Sequence, residues 1–389
     1  MIDQRLAQPV SAGVVSALVG FTSSFVILLS GFAAVGADPG QASSGLLAAA
    51  VTMGLGSIVL SRWTRTPITT AWSTPGAALL VTTGTVDGGW PAAVGAFLVT
   101  GMLILFTGIL PQLGELIARI PTAVAQAMLA GVLLKLCLGP VTGLTESPLA
   151  VAPVILVWLL GVRFAPRWAV PLAFLAAAVV IGVHVLIGGV TTGSVSLVPH
   201  VEFTAPVFTL AGITGIALPL FLVTMAAQNV PGVAVMKGLG YEVPWRRSMV
   251  VTGVGTLVGA PAGSHAINLA AISAALAAGP EAGPDRCRRW IAAQTSGIVL
   301  VLLGVASSAF GALVALAPTG VVAAVAGLAL LGTLAASLQA ALHEPADRLP
   351  AIAAFVTAAS GVAIAGVSAA FWALAVGLVV RWVLRTGRA

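Results

Sequence analysis

The sequence predicts an all-α polytopic membrane protein, and three observations support this fold class. Of 389 residues, 59% are hydrophobic and only 7% are charged, whereas soluble domains carry about 25% charged residues. Apolar runs of the length that a membrane helix needs recur along the whole chain. Two of these runs are interrupted by polar residues, proline and glycine. A soluble globular protein is therefore excluded.

Fourteen apolar segments are long enough, or nearly long enough, to cross a bilayer as helices. Segments 3 and 10 are the two interrupted ones. The segments are 10–36, 41–61, 67–84, 90–111, 121–140, 149–163, 168–190, 207–229, 245–259, 261–279, 289–308, 318–341, 349–366 and 369–386.

The distribution of charge supports fourteen crossings with both termini in the cytoplasm. When the segments alternate from a cytoplasmic N-terminus, 16 of the 17 Lys and Arg residues fall on the cytoplasmic side, and Lys135 lies within a segment. The outer loops carry only acids. This is the asymmetry that the positive-inside rule describes, so the basic residues indicate orientation in a membrane and not a nucleic-acid site.

The two halves of the chain resemble each other. "GILPQLGELIARIPTAVAQAMLAGVLL" at 108–134 aligns with "GVASSAFGALVALAPTGVVAAVAGLALL" at 304–331, and Gly101 aligns with Gly297. Because seven crossings is an odd number, the second copy enters from the opposite side of the membrane. The pattern predicts a 7+7 inverted-topology repeat, which is typical of secondary transporters that bind substrate near the midplane.

The two interrupted segments are partners in this repeat. "TPITTAWSTPGAALL" at 66–80 predicts an extended lead-in and a half-helix from about Pro75 to Gly84, because proline after Ser or Thr starts helices well. "PAGSHAINLAAISAAL" at 261–276 predicts an extended lead-in and a helix from about Asn268 to Ala278. Two crossing strands would satisfy the non-helical backbone. The half-helix N-termini would face each other near the midplane as an anion site.

No Asp or Glu lies within the fourteen segments, so hydroxyls, amides and aromatic rings supply the chemistry predicted at this site. This combination favours a small apolar monoanion over a cation. His265 is the natural protonatable group there. The candidate substrate-binding residues are Ser24, Phe25, Trp72, Ser73, Thr74, Gly76, Gln228, Asn229, Ser264, His265, Ala266 and Asn268.

Three stretches, "TPITTAWSTPGAALL", "AQNVPGVAVMKGLGY" at 227–241 and "GAPAGSHAINLAAISAAL" at 259–276, resemble the BenE family of benzoate/proton symporters. The family is similar in architecture to uracil-type nucleobase permeases. Those permeases carry glutamates in spans 8 and 10, where this chain has Gln228 and no acid near Asn268. The resemblance implies a core domain of about 10–111 and 207–308, a gate domain of about 112–190 and 309–386, and the capacity to form homodimers.

The sequence and the resemblance together predict a bacterial inner-membrane transporter that imports benzoate or a related aromatic carboxylate with a proton. The carboxylate would face Thr74–Gly76 and Ala266–Asn268, and the ring would lie against Trp72 and Phe25. Another anion carrier of the same fold and an anion channel remain alternatives. A membrane enzyme would need clustered His, Cys, Asp or Glu, which the sequence lacks, and no metal or other cofactor is predicted.

Overall fold

The computed structural model describes residues 4–110, 112–114, 120–188, 198–364 and 367–386, and they are almost entirely helical. The predicted segment ends at 111, 190 and 366 lie outside the described residues. In the first half the elements are α1 (Gln4–Thr22), α2 (Phe25–Ala34), α3 (Pro39–Thr64), β1 (Thr70–Trp72), α4 (Thr74–Thr83), α5 (Gly89–Ile109), α6 (Thr122–Cys137), α7 (Gly139–Glu146), α8 (Pro148–Phe164) and α9 (Ala169–Gly188).

The second half repeats this alternation of long helices with one short strand. Its elements are α10 (Leu210–Gly238), α11 (Trp245–Gly259), β2 (Ile267–Leu269), α12 (Ile272–Ala278), α13 (Trp290–Val305), α14 (Ser307–Ala315), α15 (Val321–Leu342), α16 (Arg348–Ser360) and α17 (Ala369–Thr386). Short 3₁₀ turns at Pro166–Trp168 and Pro280–Ala282 connect neighbouring helices.

Each predicted segment coincides with a helix or, at 67–84 and 261–279, with a strand followed by a short helix. By length and composition alone, seven helices of the described chain can cross a membrane. The count becomes eight if the pair from Arg286 to Ala315, bent by 55°, forms one span. The prediction of a helical polytopic membrane protein is therefore confirmed.

Two predicted boundaries near the strand pair were wrong, and the helix predicted to reach 366 ends at Ser360. The segment expected to end at 229 continues as α10 to Gly238, because π-helical turns at Ile213–Ala217 and Met225–Asn229 adjust its hydrogen bonding around the prolines. The second half-helix was expected to begin at Asn268, but α12 begins at Ile272. Residues Ile267–Leu269 instead pair with β1 as a strand, which satisfies backbone groups that a short helix would leave free at its start.

Glycines allow the long helices to approach closely. α3 crosses α13 where Gly54 faces Gly297, and a Cβ added at Gly297 would lie 2.5 Å from the Gly54 carbonyl oxygen. α5 crosses α11 in the same way, because a Cβ at Gly253 would lie 2.7 Å from the Leu105 nitrogen. Small residues at such crossings are the usual means by which membrane helices pack.

We expect Gly297→Ala to destabilise the protein, because the added methyl group overlaps the α3 backbone and overpacking costs about 1–3 kcal/mol. Gly182→Ala is the matched control, since nothing lies within 4 Å of a Cβ at Gly182. Thermal unfolding in detergent, with the folded fraction after heating measured by size-exclusion chromatography, should show a lower midpoint for Gly297→Ala only. Equal midpoints for the two variants would contradict a close α3–α13 crossing.

Candidate functional site

The two interrupted segments meet as a two-stranded antiparallel sheet inside the helix bundle. Thr70 lies opposite Leu269, and Trp72 lies opposite Ile267. All four residues are buried. The sequence prediction of two short crossing strands is therefore confirmed.

Side chains from the surrounding helices complete the hydrogen bonding of this sheet. An isolated two-stranded sheet leaves outward-facing N–H groups, and in a membrane interior each would be costly without an acceptor. Three side-chain oxygens accept them: Ser57 from Thr70 N at 2.8 Å, Thr256 from Ile267 N at 3.1 Å, and Asn229 from Leu269 N at 2.9 Å. The sheet is thus anchored to α3, α11 and α10.

Ser73 connects β1 to the half-helix α4. Its N–H donates to the carbonyl of Ala266 at 2.9 Å, and its hydroxyl caps α4 by accepting from Gly76 N at 3.1 Å. The hydroxyl of Thr224 on α10 donates to Ser73 Oγ at 2.8 Å. A Cβ at Gly76 would collide with Leu220, so α4 lies directly against α10.

His265 precedes β2 by two residues and is fully buried. Its Nε2 is 2.9 Å from the Ser73 carbonyl oxygen, and its ring packs edge-on against Phe32 and Phe97, with centroids 5.7 and 6.3 Å away. Its Nδ1 has no hydrogen-bond partner among the described residues. The geometry therefore places the buried imidazole beside the N-terminus of α4 through Nε2 and leaves its Nδ1 unpaired.

A cavity of about 440 Å³ borders the sheet at Thr70, Ala71 and Trp72, and His265 is not part of its lining. This volume falls within the range of small-molecule sites. Hydroxyl groups and apolar side chains from both halves of the chain form its wall. The lining includes Ser16, Val19, Ser23, Ser24, Met53, Thr70, Trp72, Thr74, Leu133, Val170, Gln228, Ser273, Ser296, Leu300, Leu330 and Thr333.

Trp72 forms part of this wall and does not project into the cavity. Only 2% of its surface is exposed, and its indole Nε1 donates to Ser24 Oγ at 2.8 Å. The ring also meets Phe21 edge-on, with centroids 5.3 Å apart. Its position is therefore fixed by one hydrogen bond and one aromatic contact.

The structure separates the predicted site residues into two groups. Four of them line the cavity, namely Ser24, Trp72, Thr74 and Gln228. The remaining residues are buried in the packing around the strand pair and do not line it: Phe25, Ser73, Gly76, Asn229, Ser264, His265, Ala266 and Asn268. The two groups alternate between Ser24 and Asn229, but the four predicted residues in 264–268 all lie in the packing. The second interrupted segment lines the cavity at Ala270, Ala271 and Ser273 instead.

Phe25, predicted to contact substrate, belongs to an aromatic cluster at the junction of α1 and α2. It is fully buried and lies 4.9 Å, between ring centroids, from both Phe174 and Phe310. Phe21 stacks on it at 5.5 Å. These rings fill the space between the first helix and the later helices α9 and α14, so that space is closed by apolar contacts.

The comparisons with known proteins agree with this architecture. Residues 4–383 match the family model BenE, described as benzoate membrane transport protein. The chain belongs to the BenE family. Inner membrane protein YdcO of Escherichia coli is 41% identical over 369 residues, covering 94% of this chain and 93% of that one. The benzoate membrane transport protein of Acinetobacter baylyi is 31% identical over 388 residues, covering 96% and 94%.

Solved anion transporters share the fold of this BenE chain. The transmembrane domain of the cyanobacterial bicarbonate transporter BicA gives a TM-score of 0.59 at 15% identity and covers 99% of this chain and 97% of that one. SLC26A9 gives a TM-score of 0.63 at 14% identity and covers 96% of this chain and 65% of that one. Such identities show the fold alone. Family membership confirms the prediction that the chain is a membrane transport protein and not an enzyme.

Sequence reasoning missed several residues that line the cavity of this BenE protein. Ser16, Ser296 and Thr333 lie on three different long helices, and single hydroxyls in apolar helices are common, so no sequence signal marks them. Ser273 follows Ala270 and Ala271 at the start of α12, and all three line the cavity. The prediction placed that helix start four residues too early, and Ala266 and Asn268 were therefore predicted as site residues in place of Ser273.

The neighbours Gln228 and Asn229 provide a test of the division between sheet-building and cavity-lining residues. Asn229→Ala removes the acceptor for Leu269 N, and a buried unsatisfied N–H costs about 1–3 kcal/mol. We therefore expect a clearly lower unfolding midpoint in detergent for Asn229→Ala. Gln228→Ala should unfold like the wild type because its side chain faces the cavity. A reversed order would contradict the assignment.

Proposed function

We propose that this BenE protein imports benzoate or a related aromatic carboxylate together with a proton, by alternating access, across the bacterial inner membrane. The observation that supports it most is the apolar, hydroxyl-bearing cavity of about 440 Å³ that reaches the first turn of α4. Its described lining contains no carboxylate, so an aromatic anion meets no repulsive charge. The names of YdcO and of the Acinetobacter protein support the location and the substrate class.

The substrate carboxylate is proposed to lie at Thr74, where α4 begins. The first turn of a helix carries N–H groups without helical partners and about half a positive charge. Pro75 has no N–H, and Ser73 already accepts from Gly76 at its hydroxyl and from Ala77 at its carbonyl, so the anion would use the hydroxyl and the N–H of Thr74. Gln228 and Ser24 also face this region, and the benzoate ring would lie against Trp72.

We further propose that the chain crosses the membrane fourteen times as a 7+7 inverted repeat, with both termini in the cytoplasm. The core would comprise about 10–111 and 207–308, and the gate about 112–190 and 309–386. The helix crossings support the repeat, because Gly101 and Gly297 correspond in sequence and each lies in a close contact, with α11 and α3 respectively. Movement of the gate against the core would alternate access.

His265 is proposed as the group that couples transport to the proton. The described lining of the cavity contains no titratable carboxylate or imidazole, and His265 contacts the cap residue of α4 through Nε2. A proton on its unpaired Nδ1 would add positive charge behind the site where the carboxylate binds. In the alternative, the proton travels on the substrate as the neutral acid.

Uptake of radiolabelled benzoate into proteoliposomes tests the function. We expect saturable uptake that an inward proton gradient drives to concentrations above those outside. Competition with bicarbonate, sulfate and other aromatic acids separates this activity from another anion carrier, and uncoupled current without accumulation would indicate a channel. Absence of saturable uptake of any aromatic acid would remove the proposal.

His265→Gln tests the coupling. Glutamine keeps a donor for the Ser73 carbonyl but cannot be protonated, so we expect benzoate exchange to persist while the gradient-driven accumulation ratio falls towards one. His184→Gln is the control, because His184 is exposed on α9. Full accumulation by His265→Gln would assign the proton to the substrate instead.

A further inference from the structure

One ion pair lies at the edge of the cavity and connects segments that are far apart in the chain. Arg167 belongs to the turn Pro166–Trp168 between α8 and α9, and Glu281 belongs to the turn Pro280–Ala282 that follows α12. Arg167 Nη2 is 2.6 Å from Glu281 Oε1. The pair therefore joins the proposed gate to the end of the second interrupted segment.

Arg167 differs from every other described residue of the main cavity because it is the only charged side chain in the lining. Glu281 does not line that cavity; together with Arg167 it borders a smaller adjoining one of about 150 Å³. An anion inside the main cavity consequently has one cationic side chain in the described lining to approach. The carboxylate of Glu281 pairs with that cation from outside the lining.

The Arg167–Glu281 ion pair is also suited to exchange its Glu281 carboxylate for that of a substrate. Its side chains are 57% and 40% exposed, and solvent-exposed pairs contribute little to stability. A guanidinium carries five N–H donors in a fork that matches carboxylates, and the bond to Glu281 uses one of its nitrogens. A second carboxylate of the same geometry can therefore bind beside Glu281 or replace it.

We propose that Arg167 is a second binding point for the substrate, which holds the carboxylate of the aromatic acid at the end of the cavity in exchange with Glu281. The proposal rests on the proposed transport of an aromatic carboxylate. The charge distribution of the sequence predicts this end to be cytoplasmic, so the anion reaches Arg167 as it leaves the site at α4. Release of Glu281 at that moment breaks the ion pair between the turn Pro166–Trp168 and the turn Pro280–Ala282.

The test measures benzoate affinity by calorimetric titration of the detergent-solubilised full chain, and exchange in proteoliposomes. Arg167→Gln should weaken benzoate affinity about tenfold, because it removes a charge-assisted hydrogen bond. Arg163→Gln, an exposed arginine four residues earlier that does not line the cavity, should leave affinity unchanged. Glu281→Gln should leave it unchanged or tighten it, because Arg167 loses its competitor.

A double variant that swaps the two charges distinguishes substrate binding from an ion pair that only holds the two segments together. If the pair only holds the segments together, Arg167→Glu combined with Glu281→Arg restores affinity and exchange, and the proposal is overturned. If Arg167 binds the substrate, the double variant stays at least as impaired as Arg167→Gln, because a carboxylate now lies at position 167. Size-exclusion profiles matching the wild type establish that each variant is folded.

The outcomes for the wild-type chain distinguish the two proposals. Wild-type protein that binds no aromatic acid overturns the proposed function and this inference with it. Wild-type protein that binds benzoate, with Arg167→Gln unchanged, overturns the role of Arg167 alone. Equal loss of affinity in Arg167→Gln and Glu281→Gln also overturns it, because the pair would then act only as one structural unit.

Discussion

The need to satisfy backbone hydrogen bonds away from water determines how the two interrupted segments are built. Non-helical backbone at membrane depth is tolerated only where protein groups replace water, and here the replacement is nearly complete. β1 and β2 satisfy each other along one edge, and the side chains of Ser57, Asn229 and Thr256 accept at the other edges. These bonds fix the position of the cavity wall at Trp72 and Thr74.

The same requirement explains which parts of the fold could be predicted. Apolar runs located every segment, and the change from β-branched residues to Ser-Thr-Pro-Gly located β1 and the start of α4. The start of α12 could not be found in this way, because Asn268 looks like a helix cap in sequence. Pairing of Asn268 with Ala71 outweighs that local preference, and pairing is a tertiary interaction that a single segment does not reveal.

The sequence could not show which of the predicted site residues line the cavity, for a related reason. Polarity marks a residue as unusual in a membrane helix but does not say whether it bonds to the backbone or faces a cavity. Gln228 and Asn229 are adjacent amides, yet one lines the cavity and the other accepts from Leu269 N. The direction of each side chain depends on the π-helical turn at Met225–Asn229, which has no clear sequence signal.

The contrast between the aromatic cluster beside Trp72 and the ion pair at the edge of the cavity bears on how the proposed alternating access would work. Phe21, Phe25, Phe174 and Phe310 hold their helices together by apolar contacts alone, whereas Arg167 and Glu281 join their two segments by an exposed ion pair. Aromatic contacts carry no net charge and have more than one favourable arrangement, offset-stacked or edge-to-face, whereas an ion pair must find a new partner when it opens. In the proposed transport, a carboxylate substrate would be such a partner, so its charge would break the ion pair while the aromatic cluster rearranges.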